Sequence, residues 1–101
     1  MTLLSTDKIE RFLRNSKDWI FSENSIKKLY TFESYMDSIE FINMLAKKAE
    51  SNNHHPDMNI GWCKINLSFT SHDKGGVTLQ CLEMANQADI IYKNLKLPKI
   101  N

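Results

Sequence analysis

Three histidines are the only imidazoles in this chain of 101 residues, and they are unevenly placed: His54 and His55 are adjacent, and His72 follows seventeen positions later. An imidazole has an ordinary pKa near 6.5, so it donates and accepts protons near neutrality. Three of them gathered together suit general acid–base catalysis. Two other readings compete: histidines that are merely solvated, and a zinc site completed by Cys81. The spacing weighs against zinc, because no ligand pair shows the i, i+3 or i+4 separation of a helical site or the C-x₂-C of a knuckle. Gly75-Gly76 ahead of a helix invites a phosphate-loop reading. A lone pair of glycines lacks the longer phosphate-binding pattern, and a tight turn into a helix is the simpler account.

All three histidines fall in loops or at element ends, so the flanking elements must bring them together. Alternation of Cys63, Ile65, Leu67 and Phe69 with Lys64, Asn66, Ser68 and Thr70 predicts a half-buried strand. A preceding strand is expected over Met58–Trp62. If the two form a hairpin, His54 and His55 enter it and His72 leaves it at the same edge.

The remaining elements follow from caps and periodicity. A first helix is expected from Ser5–Asp7, with Ile9, Phe12 and Leu13 as its apolar stripe. Trp19-Ile20-Phe21, the turn Ser22–Ser25, and Ile26–Phe32 read as two antiparallel strands. Ser34-Tyr35-Met36-Asp37 has a capping pattern. The helix it opens carries the stripe Tyr35, Ile39, Ile42, Ala46 and Ala49, and Met36, Phe41 and Met44 are expected mostly in the core. This helix should fade at Ser51–Asn53, and Pro56 forbids its continuation. His72–Gly76 is a loop. A last helix opens at Thr78, buries Cys81, Ala85, Ala88, Tyr92 and Leu95, and ends at Pro98. The expected fold is α+β, a four-stranded antiparallel sheet with three helices packed on one face, in the order α-β-β-α-β-β-α.

Composition sets the outer bounds. Hydrophobic residues make up 42% and charged residues 25%, within the range of folded domains. One domain over residues 1–101 is expected. A net charge of +1 with scattered lysines gives no sign of a nucleic-acid partner. Cys63 and Cys81 form no dense framework and read as reduced thiols. No apolar run is long enough to span a membrane. A cytoplasmic location is expected, with the nucleus as an alternative.

The run Ala49-Glu50-Ser51-Asn52-Asn53-His54-His55-Pro56 resembles the A-E-x-x-x-H-H-P signature of the pterin-4a-carbinolamine dehydratases. Trp62, Ser71-His72 and Gly75-Gly76-Val77-Thr78 resemble later family positions. Trp19, Tyr30, Phe32 and Tyr35 resemble earlier ones. The resemblance covers residues 19 to 92. It implies loss of water from a 4a-hydroxytetrahydropterin, giving a quinonoid dihydropterin in tetrahydrobiopterin recycling, with no metal and no organic cofactor. It also implies assembly as dimers or tetramers.

Within that resemblance, His54, His55 and His72 are the expected catalytic residues. His54 and His72 would exchange protons at the 4a and N5 positions while His55 orients the pterin. The expected binding set is these three with Glu50, Pro56, Trp62, Ser71, Asp73 and Lys74. Glu50 would orient a histidine or bond the ring, and Trp62 would stack on the pterin or join the core. Two departures stand out. Cys81 occupies a position where many members have Asp; a thiol is expected to replace that carboxylate poorly as a cap, and if the carboxylate also tunes a histidine, activity is expected to fall. Met58 replaces an aromatic residue of animal members. Other functions implied by the resemblance are a protein-interaction module that aids dimerisation of transcription factors, and a pterin-binding protein without catalysis.

Overall fold

Side-chain oxygens start the first two helices. Ser5 accepts the Lys8 N–H and opens α1 (Thr6–Asn15). Ser34 accepts the Asp37 N–H at 3.1 Å and opens α2 (Tyr35–Ser51). In this computed structural model residues 2–96 are described. Between α1 and α2 lie β1 (Ile20–Ser22) and β2 (Ser25–Thr31), joined by Glu23-Asn24. Both loop residues have positive φ, 52° and 61°, the signature of a type I′ hairpin turn. After α2 come β3 (Asp57–Gly61), β4 (Lys64–Phe69) and α3 (Leu79–Lys96). The expected element order and the four-stranded antiparallel sheet are both present.

The strands lie in the order β1-β2-β4-β3, so α2 carries the chain from one edge hairpin to the other. Register aligns Ile26, Lys28 and Tyr30 of β2 with Phe69, Leu67 and Ile65 of β4. Those apolar residues are fully or nearly fully buried and join Phe41 and Leu45 of α2 and Met84, Ala85 and Ala88 of α3 in the core. Ile9 of α1 belongs to the same cluster. The opposite parity, Leu29, Lys64 and Asn66, is exposed.

Several details differ from the sequence reading. In α2 the buried residues are Ser38, Phe41, Leu45 and Ala49, whereas Tyr35 and Ala46 are exposed and Ile39 and Ile42 only partly covered. Both ladders obey helical spacing. The core selects the one containing Ser38, whose hydroxyl donates to the Tyr35 carbonyl at 2.6 Å and so needs no water. Met36 and Met44 are exposed and Phe41 alone of that trio is core. Cys63 lies in the β3–β4 turn with φ 58°, not in β4, and Trp62 is its turn neighbour, not part of β3. Phe32 follows β2, its N–H donating to the Cys63 carbonyl. The stripe of α3 gains Met84 and Ile91 as buried members, while Tyr92 and Leu95 are half-buried; Pro98 lies outside the described residues.

A second polar cluster ties the layers together. Asp89 of α3 accepts hydrogen bonds from Trp19 Nε1 at 2.9 Å, Lys28 Nζ at 2.8 Å and the Tyr30 hydroxyl at 2.5 Å. Burial, then the bond to Asp89, pushes the Tyr30 phenol well above its usual range. The Lys28 ammonium also lies 4.9 Å from the Tyr30 ring centroid, in cation–π range.

Candidate active site

The C-terminus of α2 sets the direction of the first two histidines. Asn53 has φ 49°, its N–H bonds the Glu50 carbonyl, and the His54 N–H bonds the Ala49 carbonyl. These two bonds with a left-handed residue between them are a Schellman cap. Asn is one of the few residues besides glycine that enters this conformation at low cost. The cap reverses the chain, so His54 turns inward and His55 outward.

His54 is 8% exposed. Its ring lies nearly parallel to Phe69 at the end of β4, with centroids 6.2 Å apart. Its Nε2 is 3.3 Å from Cys81 Sγ in the first turn of α3. Burial lowers the pKa of His54 below 6.5, and positive charge on His72 and His55 lowers it further, while Asp73 opposes them. The ring is therefore neutral at neutral pH.

His55 points the other way. Its side chain is 55% exposed, and its Nε2 lies 2.7 Å from Glu50 Oε1. Glu50 thus orients His55 rather than His54. His72 is 69% exposed, with Nε2 3.7 Å from Asp57 Oδ2. Asp57 opens β3 opposite Ser68 of β4, so this contact closes the mouth of the hairpin. His54 and His55 before β3 and His72 after β4 thus sit at the same edge of the hairpin, with each ring held by a different partner.

The loop carrying His72 is held at its base. Ser71 and Gly76 form an isolated bridge, with the Ser71 N–H donating to Gly76 O at 2.8 Å. The Lys74 and Gly75 N–H groups both donate to Ser71 O. Gly75 takes φ 74°, which suits glycine.

The other expected binding residues divide. Pro56 joins Glu50, His55, Ala46, Ala49 and Met58 around an open groove of about 660 Å³ between α2 and β3. Asp73 and Lys74 are exposed on the His72 loop. Ser71 is buried beneath that loop, 2.7 Å from the Thr78 hydroxyl. Trp62 is not brought to the site. Its indole is 80% exposed at the hairpin tip, and the five-residue β3 puts that tip roughly 14 Å from Asp57. It neither stacks near the histidines nor enters the core.

Sequence reading missed one neighbour: Asp57 faces His72, and only the hairpin register reveals it. Cys81, weighed in the sequence as a partner of the histidines, reaches His54 across 27 positions through its sulfur. The Cys81 sulfur also accepts the Thr78 N–H at 3.5 Å. That is the place of the carboxylate in a capping box, where the thiol offers a weaker acceptor.

Comparison with known proteins bears on the family and the fold. A sequence model of the family described as pterin 4 alpha carbinolamine dehydratase matches residues 2–91. A provisionally named pterin-4-alpha-carbinolamine dehydratase of Roseiflexus is 39% identical over 90 residues, covering 89% of this chain and 97% of that protein. The crystal structure of a transcriptional coactivator/pterin dehydratase from Brucella melitensis superposes with TM-score 0.85 at 22% identity, covering 90% of this chain and 99% of the other. A pterin dehydratase-like protein described as a RuBisCO assembly factor in the alpha-carboxysome gives TM-score 0.63 at 20% identity, over 76% and 89% of the two chains. On the strength of the family match across nearly its whole length, the chain belongs to the pterin 4 alpha carbinolamine dehydratase family.

Proposed function

We propose that this protein dehydrates a 4a-hydroxytetrahydropterin by histidine acid–base catalysis. In that reaction the N5 lone pair expels the 4a-hydroxyl, which leaves as water once protonated. Removal of the N5 proton then gives the quinonoid dihydropterin. One imidazole must give a proton and another must take one, each contributing about 10²–10⁴-fold. The observation that carries this reading is the unequal environment of the three rings. His54 is buried and neutral, suited to accept the N5 proton. His72 is exposed beside Asp57, suited to deliver a proton to the leaving hydroxyl. His55, held by Glu50 at the edge of the α2–β3 groove, orients the pterin. That groove lies within the size range of small-molecule sites. Pro56 lines the same groove, Asp73 and Lys74 are exposed on the His72 loop, and Trp62 stands in solvent at the hairpin tip.

Stopped-flow dehydration of 4a-hydroxytetrahydropterin, comparing wild type with His72→Ala, tests the reading. Acceleration by the wild type alone supports it. No acceleration by either removes it.

A second reading rests on a different observation. Tyr35, Met36 and Met44 expose apolar surface along α2. The structural relatives are described as a transcriptional coactivator/pterin dehydratase and a RuBisCO assembly factor. Assembly into dimers or tetramers, or contact with another protein, would cover that surface. Sedimentation of the wild type as a monomer only would remove self-assembly from consideration.

A further inference from the structure

Cys81 is fully buried in the first turn of α3, and four polar groups surround its sulfur. They are His54 Nε2 at 3.3 Å, the Thr78 N–H at 3.5 Å, Ser71 Oγ at 3.6 Å and Thr78 Oγ1 at 3.8 Å. The chemistry of each limits its role. A backbone N–H only donates, so the sulfur accepts from Thr78. The thiol proton has three acceptors within reach: Nε2 and the Ser71 and Thr78 hydroxyls, which are themselves bonded at 2.7 Å. With that proton on a hydroxyl, a sulfur lone pair is left for the Nε2–H of a neutral imidazole; with it on Nε2, the ring N–H falls on Nδ1. In the first arrangement Nδ1 keeps the ring's free lone pair. Among the described residues no protein group bonds to Nδ1, and no side-chain nitrogen or oxygen is buried without a partner. Nδ1 therefore lies on the side of the ring that still meets solvent.

We propose that Cys81 is a positioning residue for His54, its sulfur accepting the Nε2 proton so that the Nδ1 lone pair faces the substrate. The choice of Nδ1 as the proton acceptor, and with it the first arrangement, rests on the dehydratase reading; the contact between Nε2 and the sulfur does not. An orienting acceptor behind an imidazole is a recurrent device for fixing which nitrogen reacts. A neutral sulfur stabilises the imidazolium less than a carboxylate would, which keeps His54 a weak base. The other charges facing His54 are His55, His72 and Asp73.

Nitrogen-15 NMR of the histidine rings, in the full chain above the imidazole titration, reads the tautomer directly. Wild type is expected to show His54 protonated at Nε2. Cys81→Ala should leave a mixture of tautomers and lower kcat roughly tenfold with KM little changed. Cys81→Ser should restore both, since an oxygen still accepts, and it carries the test if the alanine variant does not fold. Cys81→Asp should raise the His54 pKa by about one unit or more and move the acid limb of the rate profile with it. A wild-type ring protonated at Nδ1, or an unchanged tautomer in Cys81→Ala, overturns the proposal. A wild type with the Nε2 tautomer but no dehydratase activity sinks the functional reading and leaves the positioning role standing.

Discussion

Two polar clusters on α3 invite comparison. They lie eight residues apart, about 12 Å along the helix. At Asp89, one carboxylate takes three donors, Trp19 just before β1 and Lys28 and Tyr30 on β2, and so ties α3 to the sheet. At the histidine end, the rings are only partly satisfied. His54 has one protein partner on Nε2, His55 one on Nε2, and His72 a single longer contact. A carboxylate engaged by three protein donors serves cohesion. Rings with one partner each retain lone pairs and N–H groups for a substrate.

The comparison breaks most visibly by mutation. His54→Ala and His72→Ala should each lower turnover by about 10²–10⁴-fold with the circular dichroism spectrum unchanged. Loss of folding in both would move the histidines into the structural class. Asp89→Ala should do the reverse. It strands a mostly buried ammonium and two donors, costing about 2–4 kcal/mol in urea unfolding, while turnover per folded molecule holds.

The pH dependence sharpens the contrast. The folded state holds the His54 pKa below 6.5. Between that lowered value and 6.5 the unfolded chain binds more protons than the folded one, so stability rises with pH across the window. His54→Gln should flatten that rise in urea titrations at successive pH values. On the same grounds kcat/KM should fall as pH drops through that lowered value, because a protonated ring no longer accepts.

Smaller effects come last. Asn53→Val, which forces a β-branched residue into the left-handed cap of α2, should cost about 1 kcal/mol by thermal unfolding. Trp62→Ala should leave kcat and KM at wild-type values, since the indole stands in solvent at the hairpin tip. A loss of activity there would place the tip in the site.

Local chemistry explains what was legible in the sequence. Caps at Ser5 and Ser34, the turn at Glu23-Asn24 and the alternation of β4 depend on neighbours a few positions away. They specified the order α-β-β-α-β-β-α and the hairpin that gathers His54, His55 and His72. Glu50 was visible as a partner for a histidine because it lies on the same helix end. Which of two equally spaced ladders on α2 turned inward was not legible, since both satisfy the helical period and only the opposing sheet and α3 choose between them. Trp62 read as a strand residue because its aromatic type favours strands; the left-handed φ of Cys63 made the pair a turn instead.

The sequence by itself determined that three imidazoles would converge at one hairpin edge, because strand pairing and the α2 cap are local instructions. Only the tertiary structure decided that they would differ. Packing of α3 against the end of β4 buried His54 beside Cys81 and left His55 and His72 in water. An imidazole's charge depends on what surrounds the ring, and those surroundings come from residues distant in the chain.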